Sequence, residues 1–245
     1  MRRTEICGVP YDTITLSGVV DGIAAALREG RAYAVCYCNA ETVVRAQRDE
    51  RLRDALGRVD NIFPDGIGLK LFSRWGGARV RERVAGIDVL VAACARVEKL
   101  GKSVFLLGGK PGVAAHTADI LRKRFPMLRI VGTLDGYEGA HQWRQNAALM
   151  GADMVVVATG TPRQELWIDE RKAITPGMHV ALAVGGAFDM IAGDAPRAPA
   201  FLRAWGFEWL WRFFMDPRRW RRIMNAVILF PVQAIACHMK RKKTQ

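Results

Sequence analysis

One order of elements recurs along this chain: an apolar run, then a glycine-containing turn, then a helical pattern. The runs at residues 103–107, 153–159 and 179–184 are the clearest examples. Strands that are continuously apolar and alternate with helices are typical of a parallel sheet covered on both faces. We therefore expect an α/β fold, with a Rossmann-like parallel sheet and helices on both faces.

The rest of the chain fits the same scheme. A buried strand is predicted at residues 32–38, then a helix from Asn39 to Gly57, then a short strand near 61–63 that leads into the turn Pro64-Asp65-Gly66. A further helix is predicted to end at Met150. Ligands of such sheets bind at the carboxyl ends of the strands, which is where the glycine turns fall. We expect the chemistry at this edge.

The composition is that of a folded protein that carries a large positive charge. Apolar residues make up 50% and charged residues 25% of 245 residues, which excludes a disordered chain. The 37 Lys and Arg exceed the 24 Asp and Glu, giving a net charge of +13. That charge predicts an anionic partner, which could be nucleic acid, a membrane surface or a phosphorylated substrate.

The last part of the chain differs from the rest in composition. Residues 201–245 hold ten Lys and Arg, two acidic residues and four of the seven Trp. Trp beside Arg is typical of a membrane-surface helix, although an ordinary core helix and a nucleic-acid patch stay open. We expect an α/β domain at 1–199 and a helical, Arg/Trp-rich membrane-association appendage at 200–245. The apolar stretch Ala226–Cys237 is interrupted and shorter than the roughly 20 residues that span a bilayer.

The five cysteines are odd in number and irregularly spaced, which argues against a disulfide framework and fits a reducing cytosol. Cys36 and Cys38 are expected as small packing residues on one face of a strand. The first ten residues lack the apolar stretch of a signal peptide.

The glycine turns are candidate phosphate sites. Glycine lets the backbone approach a phosphate, and a helix N-terminus offers free N–H groups, although tight turns alone would also explain these glycines. A standard nucleotide fingerprint is absent: no G-x-G-x-x-G follows a strand, and Val97 stands where a P-loop would need glycine. The four His are scattered, so no metal-ligand set is visible and no metal is expected.

A few polar residues stand out at the same edge, and each has two interpretations. Asp65 follows a strand, where its carboxylate can act as a general base or form an Asx turn. Asn39 either caps a helix or hydrogen-bonds a substrate. Gln164 and Glu165 either contact a ligand or are first-turn residues favoured by the helix dipole.

Seven short motifs occur in order and together resemble one known family. They are Asn39-Ala40-Glu41, Pro64-Asp65-Gly66-x-Gly68, Glu82-Arg83-Val84-Ala85-Gly86-x-Asp88, Gly160-x-Pro162-x-Gln164-Glu165-x-Trp167-Ile168, Gly185-Gly186-Ala187-Phe188-Asp189, Arg197-Ala198-Pro199 and Glu208-Trp209-x-x-Arg212. Over roughly residues 5–225 the chain resembles the WecG/TagA/CpsF family of bacterial glycosyltransferases.

The resemblance implies an inverting, metal-independent transferase without a cofactor. It would move a sugar from a UDP-sugar to an undecaprenyl-diphosphate-linked sugar, usually as the second sugar of an exopolysaccharide, teichoic acid or related surface glycan. The family's proposed base falls on Asp65, and its sugar pocket includes Asn39. The implied partners are the UDP-sugar, the polyprenyl-diphosphate-linked sugar and an anionic membrane surface. The protein would be peripheral, on the cytoplasmic face of the membrane.

The predicted site is larger than these two residues. Residues expected to bind donor or acceptor are Tyr37, Asn39, Gly66, Arg83, Gly108, Gly109, Tyr137, Gly160, Pro162, Gln164, Glu165, Gly185, Gly186 and Asp189. Residues of the appendage expected to meet phosphate or membrane are Arg212, Arg218, Arg219 and Arg222. Such cations and the helix N-termini would stabilise the UDP leaving group in place of a metal ion.

One departure from the family pattern leaves the donor sugar open. The family commonly has Thr two residues before the Asn, and this chain has Tyr37. Two other functions stay as alternatives: nucleic-acid binding, which the turns after the strands disfavour, and a nicotinamide-dependent oxidoreductase, whose fingerprint glycines are missing. Self-association of the apolar appendage off the membrane also stays open.

Overall fold

The chain begins with a two-stranded antiparallel hairpin that the sequence did not predict. The computed structural model describes residues 3–76, 79–80, 82–137, 146, 149, 151–171, 177–205, 207–216 and 220–243. The hairpin consists of β1 (Arg3–Ile6) and β2 (Val9–Asp12). The carboxylate of Asp12 is fully buried and accepts hydrogen bonds from the Arg3 side chain and the Ile62 amide, which ties the hairpin to the main sheet.

The main sheet has six parallel strands, as predicted. They are β3 (Tyr33–Cys38), β4 (Asn61–Pro64), β5 (Ser103–Gly108), β6 (Arg129–Leu134), β7 (Met154–Ala158) and β8 (Val180–Ala183). Their order across the sheet is β4-β3-β8-β7-β5-β6. Every residue of β5, β7 and β8 is buried, which explains why their sequences are continuously apolar rather than alternating.

Helices flank the sheet in two groups. They are α1 (Leu16–Glu29), α2 (Ala40–Ala46), α3 (Glu50–Arg58), α4 (Ile67–Phe72), α5 (Gly86–Lys99), α6 (Val113–Arg124), α7 (Arg163–Arg171) and α8 (Ala187–Ala192). A 3₁₀ turn at Ser73–Gly76 follows α4. Helices α1, α5, α6 and α8 pack together, and α2, α3 and α7 form the second group. The α/β prediction is confirmed.

The predicted helix from Asn39 to Gly57 is two helices. The first ends at Ala46, and Asp49 starts the second by accepting a hydrogen bond from the Leu52 amide at 3.1 Å. A carboxylate that caps free N–H groups competes with helix continuation at that position. The predicted helix ending at Met150 lies outside the described residues.

The C-terminal part is helical, as predicted. It comprises α9 (Ala200–Trp205), α10 (Glu208–Met215), α11 (Trp220–Met224), a π-helical segment (Asn225–Leu229) and α12 (Phe230–Lys243). Among the described residues, the stretch Trp220–Arg241 is one helix of 22 residues that is long and apolar enough to cross a membrane by length and composition. The expectation of a stretch too short to span was wrong, because the helix already begins at Trp220.

One face of this last helix packs on the α/β domain and the other does not. Phe230 is fully buried, with its ring edge-on to Phe72 at 5.4 Å between centroids, and Ala234 is buried beside it. The exposed large apolar residues of the same helix are Trp220, Met224, Val227, Ile228, Val232, Ile235 and Met239. A helix with this division lies along a surface with one apolar face still uncovered.

Cys7 in the hairpin turn and Cys237 in α12 form a disulfide, with their Cα atoms 5.6 Å apart. The cysteine spacing argued against a disulfide framework and did not predict this single bridge, because the fold brings together two residues 230 positions apart. Cys36, Cys38 and Cys94 are free and buried, which confirms the packing role expected for the first two.

Candidate active site

The glycine turns meet at the carboxyl edge of the sheet, next to its centre. Strand β5 connects outward to β6, while its neighbour β7 connects in the opposite direction to β8. Connections that leave adjacent strands in opposite directions open a crevice between them, and this is the usual ligand position in open α/β sheets. The topology therefore places the candidate site beside the turns after β5 and β7.

The turns after β5, β6 and β7 are joined by their backbones. Gly108 has a φ of +134°, and a Cβ there would lie 2.5 Å from the Ala158 carbonyl carbon. Gly109 donates its N–H to the Ala158 carbonyl, and Gly136 donates to the Gly109 carbonyl at 2.9 Å. Only glycine at position 108 permits this close approach. The tight-turn interpretation of these glycines is confirmed, while phosphate binding by them stays a prediction.

Gln164 and Glu165 lie in the first turn of α7, and both are fully buried. Gln164 accepts a hydrogen bond from the Gly185 amide at 3.1 Å and donates to Glu165 at 2.7 Å. The hydroxyl of Thr161 donates to the same Glu165 oxygen at 2.9 Å. These bonds join the turn after β7 to the turn after β8, so the two buried side chains fix the relative position of two turns that border the candidate site.

Burial raises the pKa of Glu165, and the hydrogen bonds from Gln164 and Thr161 offset that rise only in part. Its second oxygen, Oε2, is buried and has no hydrogen-bond partner among the described residues. A buried ionised carboxylate with one unpartnered oxygen is costly, which shifts the equilibrium of Glu165 toward its protonated form.

Tyr37 fills the space between the turns after β3, β7 and β8. Its hydroxyl lies 3.5 Å from the Thr161 hydroxyl, and a Cβ on Gly185 would come within 2.6 Å of the Tyr37 oxygen. Burial raises the pKa of the phenol well above its usual value. Tyr37 is therefore a neutral, buried wall of the candidate site.

Asn39 and Asp65 follow the neighbouring strands β3 and β4. Asn39 accepts a hydrogen bond from the Thr42 amide at 2.9 Å, which confirms its role as a helix cap. Asp65 is half-buried, and its amide donates to the Cys38 carbonyl at 2.8 Å. The charge of Asp65 acts on both Tyr37 and Arg83. The structure thus brings together the predicted base, the predicted pocket residue and an arginine.

Arg83 forms an ion pair with the appendage. Its Nη1 donates to Glu208 Oε2 at 2.6 Å, and the two side chains are only 21% and 16% exposed. Burial alone would lower the pKa of Arg83, but the hydrogen bond and charge of Glu208 raise it above its usual value. The guanidinium is therefore permanently charged at the edge of the site.

A second ion pair joins the appendage to the opposite side of the site. Arg222 donates through Nε to both Glu41 oxygens at 2.9 Å. Glu41 also accepts from Arg45, whose Nη1 donates to the Thr161 carbonyl at 2.8 Å. Arg222 is predicted to meet phosphate or membrane, and its described partner in the structure is a carboxylate of the domain.

The remaining predicted residues lie around this cluster. Tyr137 is exposed, with the Arg163 guanidinium 5.7 Å above its ring, and the Thr161–Pro162 peptide bond is cis. Asp189 is half-buried in the first turn of α8. Gly66, Gly160, Gly185 and Gly186 lie in the turns after β4, β7 and β8. The Arg212 side chain, Arg218 and Arg219 lie outside the described residues.

The sequence did not predict three further residues that the structure places at the candidate site, which are Glu41, Arg45 and Glu208. Glu41 and Glu208 stand inside the quoted motifs, so a signal was present for them, but their partners Arg222 and Arg83 are 181 and 125 residues away in sequence. Within the described ranges, no group of three or more His, Cys, Asp and Glu side chains could hold a metal ion.

Comparison with known proteins agrees with the motifs. The model of the WecG/TagA/CpsF glycosyl transferase family matches residues 4–244. A Bacillus spizizenii protein is 32% identical over 200 residues, covering 81% of this chain and 77% of its own. One from Bacillus subtilis is 30% identical over 227 residues, covering 92% and 88%. Both are named N-acetylglucosaminyldiphosphoundecaprenol N-acetyl-beta-D-mannosaminyltransferase. This chain therefore belongs to the WecG/TagA/CpsF family, and it is a glycosyltransferase.

Proposed function

We propose that the protein transfers a sugar from a UDP-sugar to an undecaprenyl-diphosphate-linked sugar, as an early step in building a surface glycan. The names of the two relatives describe an undecaprenyl-diphosphate-linked acceptor and support this class of substrate. The observation that carries the proposal is that the segment of Arg83 is joined to the turn of Asp65 at the carboxyl edge, through the hydrogen bond from the Val84 amide to the Pro64 carbonyl at 3.1 Å.

In the proposed reaction Asp65 is the general base. It takes the proton of the acceptor hydroxyl while that oxygen attacks the anomeric carbon of the donor. The bond from the anomeric carbon to the UDP oxygen breaks on the opposite face, so the configuration inverts and UDP leaves with the electron pair. Asp65 holds the proton until solvent removes it.

Negative charge develops on the departing diphosphate, and fixed positive charge lowers the energy of that state. Arg83 supplies a permanent cation, and the N–H groups at the glycine turns supply dipoles. In this proposal these groups do the work of a divalent cation, and the reaction is metal-independent.

The identity of the donor sugar is set by the pocket beside Asn39. Both relatives are named for N-acetylmannosamine transfer. The buried Tyr37 occupies space between three of the turns, so the donor sugar of this protein can differ from that of the two relatives.

The appendage is proposed to rest on the cytoplasmic face of the membrane as a peripheral element. It presents exposed Trp205, Phe214 and Trp220 together with the apolar face of α12. Trp and Arg at a membrane surface place rings at the headgroups and cations on anionic lipid. Off the membrane the same surface is available for self-association.

The test is UDP release with a panel of UDP-sugars and with undecaprenyl-diphosphate-linked glucose or N-acetylglucosamine as acceptor, with and without EDTA. The proposal predicts acceptor-dependent release that persists in EDTA, and the panel names the donor. Loss of release in EDTA would contradict metal independence. Absence of release with every pair would contradict the proposed reaction.

A further inference from the structure

The Arg83–Glu208 pair joins two parts of the chain that are 125 residues apart. Arg83 lies in the irregular segment between the 3₁₀ turn at Ser73–Gly76 and α5, and Glu208 is the first residue of α10 in the appendage. The distance of 2.6 Å and the low exposure of both side chains set this pair apart from exposed pairs such as Arg53–Glu50, in which Glu50 is 85% exposed. Exposed pairs contribute little, whereas a desolvated, charge-assisted hydrogen bond fixes geometry.

We propose that Glu208 is a positioning residue that fixes the Arg83 guanidinium for the donor diphosphate. This inference rests on the proposed function and deepens it. It assigns to the appendage a second role besides contact with the membrane, because an acid of α10 orients a cation of the donor site.

The need for such a partner follows from the surroundings of Arg83. An arginine side chain has several rotatable bonds and loses rotamer freedom when it is fixed. The backbone beside it is held by the Val84 amide, which donates to the Pro64 carbonyl at 3.1 Å. The side chain itself is fixed at Nη1 by Glu208.

The chemistry of the guanidinium leaves room for the donor. It carries five N–H donors in a planar fork, and an anion bound at one side leaves the fork oriented toward a second anion. Glu208 holds Nη1, so the geometry favours diphosphate binding through the other N–H groups. Undocking of α10 would release Arg83, which couples the placement of the appendage to donor binding.

The experiment compares Glu208→Gln with the wild-type full-length protein. Replacing the carboxylate by a neutral amide of equal size removes the charge and keeps the shape. Because a misplaced catalytic group costs up to about 100-fold, we expect kcat/KM for the UDP-sugar to fall about 10- to 100-fold. The affinity for UDP alone, measured by calorimetry, falls in parallel, while sedimentation with vesicles of phosphatidylglycerol and phosphatidylcholine is unchanged.

The matched control is Glu50→Gln, which removes a glutamate from an exposed arginine pair away from the site. It leaves UDP affinity and kcat/KM at the wild-type values. Glu208→Asp keeps the charge and shortens the reach, so it gives an intermediate loss. It also serves as the test variant if Glu208→Gln shows a lowered unfolding midpoint.

A double-mutant cycle shows whether Glu208 acts through Arg83. In the Arg83→Ala background, Glu208→Gln is expected to cause no further loss in kcat/KM or UDP affinity. Equal losses in both backgrounds would overturn the proposal, and so would unchanged UDP affinity in Glu208→Gln. Tighter UDP binding in that variant would also overturn it, since Glu208 would then compete with the donor.

The proposed function can fail separately. A wild-type protein that binds UDP but releases none from any donor and acceptor pair contradicts the transferase proposal. The UDP affinities of the variants still decide the role of Glu208 in that case. If the wild-type protein does not bind UDP at all, both proposals fall.

Discussion

The α/β domain and the appendage use apolar residues in opposite ways. Strands β5, β7 and β8 bury every residue, and each fully buried Val or Leu contributes about 1.5–3 kcal/mol to folding. In the appendage, Trp205 is 75% exposed and Phe214 67% exposed. The strands of the domain have their apolar residues covered within the chain, whereas the appendage keeps an exposed apolar surface that a partner outside the chain would cover.

The appendage is nevertheless attached at defined points. Phe230 packs on Phe72, Cys237 pairs with Cys7, and Glu208 and Arg222 form ion pairs with residues beside the site. The comparison teaches that one segment serves two surfaces: its polar and buried residues face the catalytic domain, and its exposed aromatic residues face away from it.

The largest effect is expected when one residue on each of the two faces of α12 is replaced by alanine. Phe230→Ala removes a fully buried aromatic ring, and we expect the free energy of unfolding to fall by about 3–5 kcal/mol. Val232→Ala, at a 58% exposed position of the same helix, is expected to change it by less than about 0.5 kcal/mol. Urea denaturation of the full-length variants measures both.

The same two variants also test whether the exposed face of α12 contacts the membrane. Val232→Ala is expected to weaken binding to anionic vesicles, because it removes apolar surface from the exposed face. Equal losses of stability in Phe230→Ala and Val232→Ala would show that α12 does not have one packed and one uncovered face.

A smaller effect is expected inside the domain, at Glu165. Its pKa in the folded state is raised above 4.5, so the folded protein binds more protons than the unfolded chain above that pH. Stability therefore declines as the pH rises from 4.5 toward the raised folded value. Glu165→Gln removes this ionisation. The free energy of unfolding of the variant minus that of the wild type should therefore be larger at pH 8 than at pH 5, and it is measured at these two pH values.

Glu98→Gln is a suitable control, because Glu98 lies on α5 and accepts an exposed hydrogen bond from Met127. It also removes one carboxylate, so a pH-dependent difference that is found in Glu165→Gln and not in Glu98→Gln is assigned to the burial of Glu165. A pH-independent difference for Glu165→Gln would mean that Glu165 is ionised in the folded protein.

Periodicity and motif order predicted the parts of the fold that depend on local sequence. The continuously apolar strands led to the parallel sheet, and the seven motifs led to the family. The hairpin was not predicted because its strands have only four residues each, and only three of the eight residues are buried and apolar. The Asp49 cap was missed because the apolar pattern continues across it.

Contacts between residues that are distant in sequence were not predicted for a different reason. Pairing of Cys7 with Cys237 and of Arg83 with Glu208 depends on how the appendage docks, which spacing along the chain does not encode. The length of the last helix was underestimated because the apolar stretch considered begins only at Ala226 and contains Pro231. A proline lacks an N–H and disturbs the preceding turn, and here a π-helical segment at Asn225–Leu229 precedes it within a continuous helix.

The central claim is that Asp65 removes the proton of the acceptor hydroxyl, and Asp65→Asn tests it most directly. The amide keeps the size of the side chain and cannot accept that proton. Single-turnover transfer to the undecaprenyl-diphosphate-linked acceptor is expected to slow by about 10²- to 10⁴-fold. UDP-sugar affinity, measured by calorimetry, is expected to stay near the wild-type value. Transfer at a near wild-type rate in this variant would contradict the account.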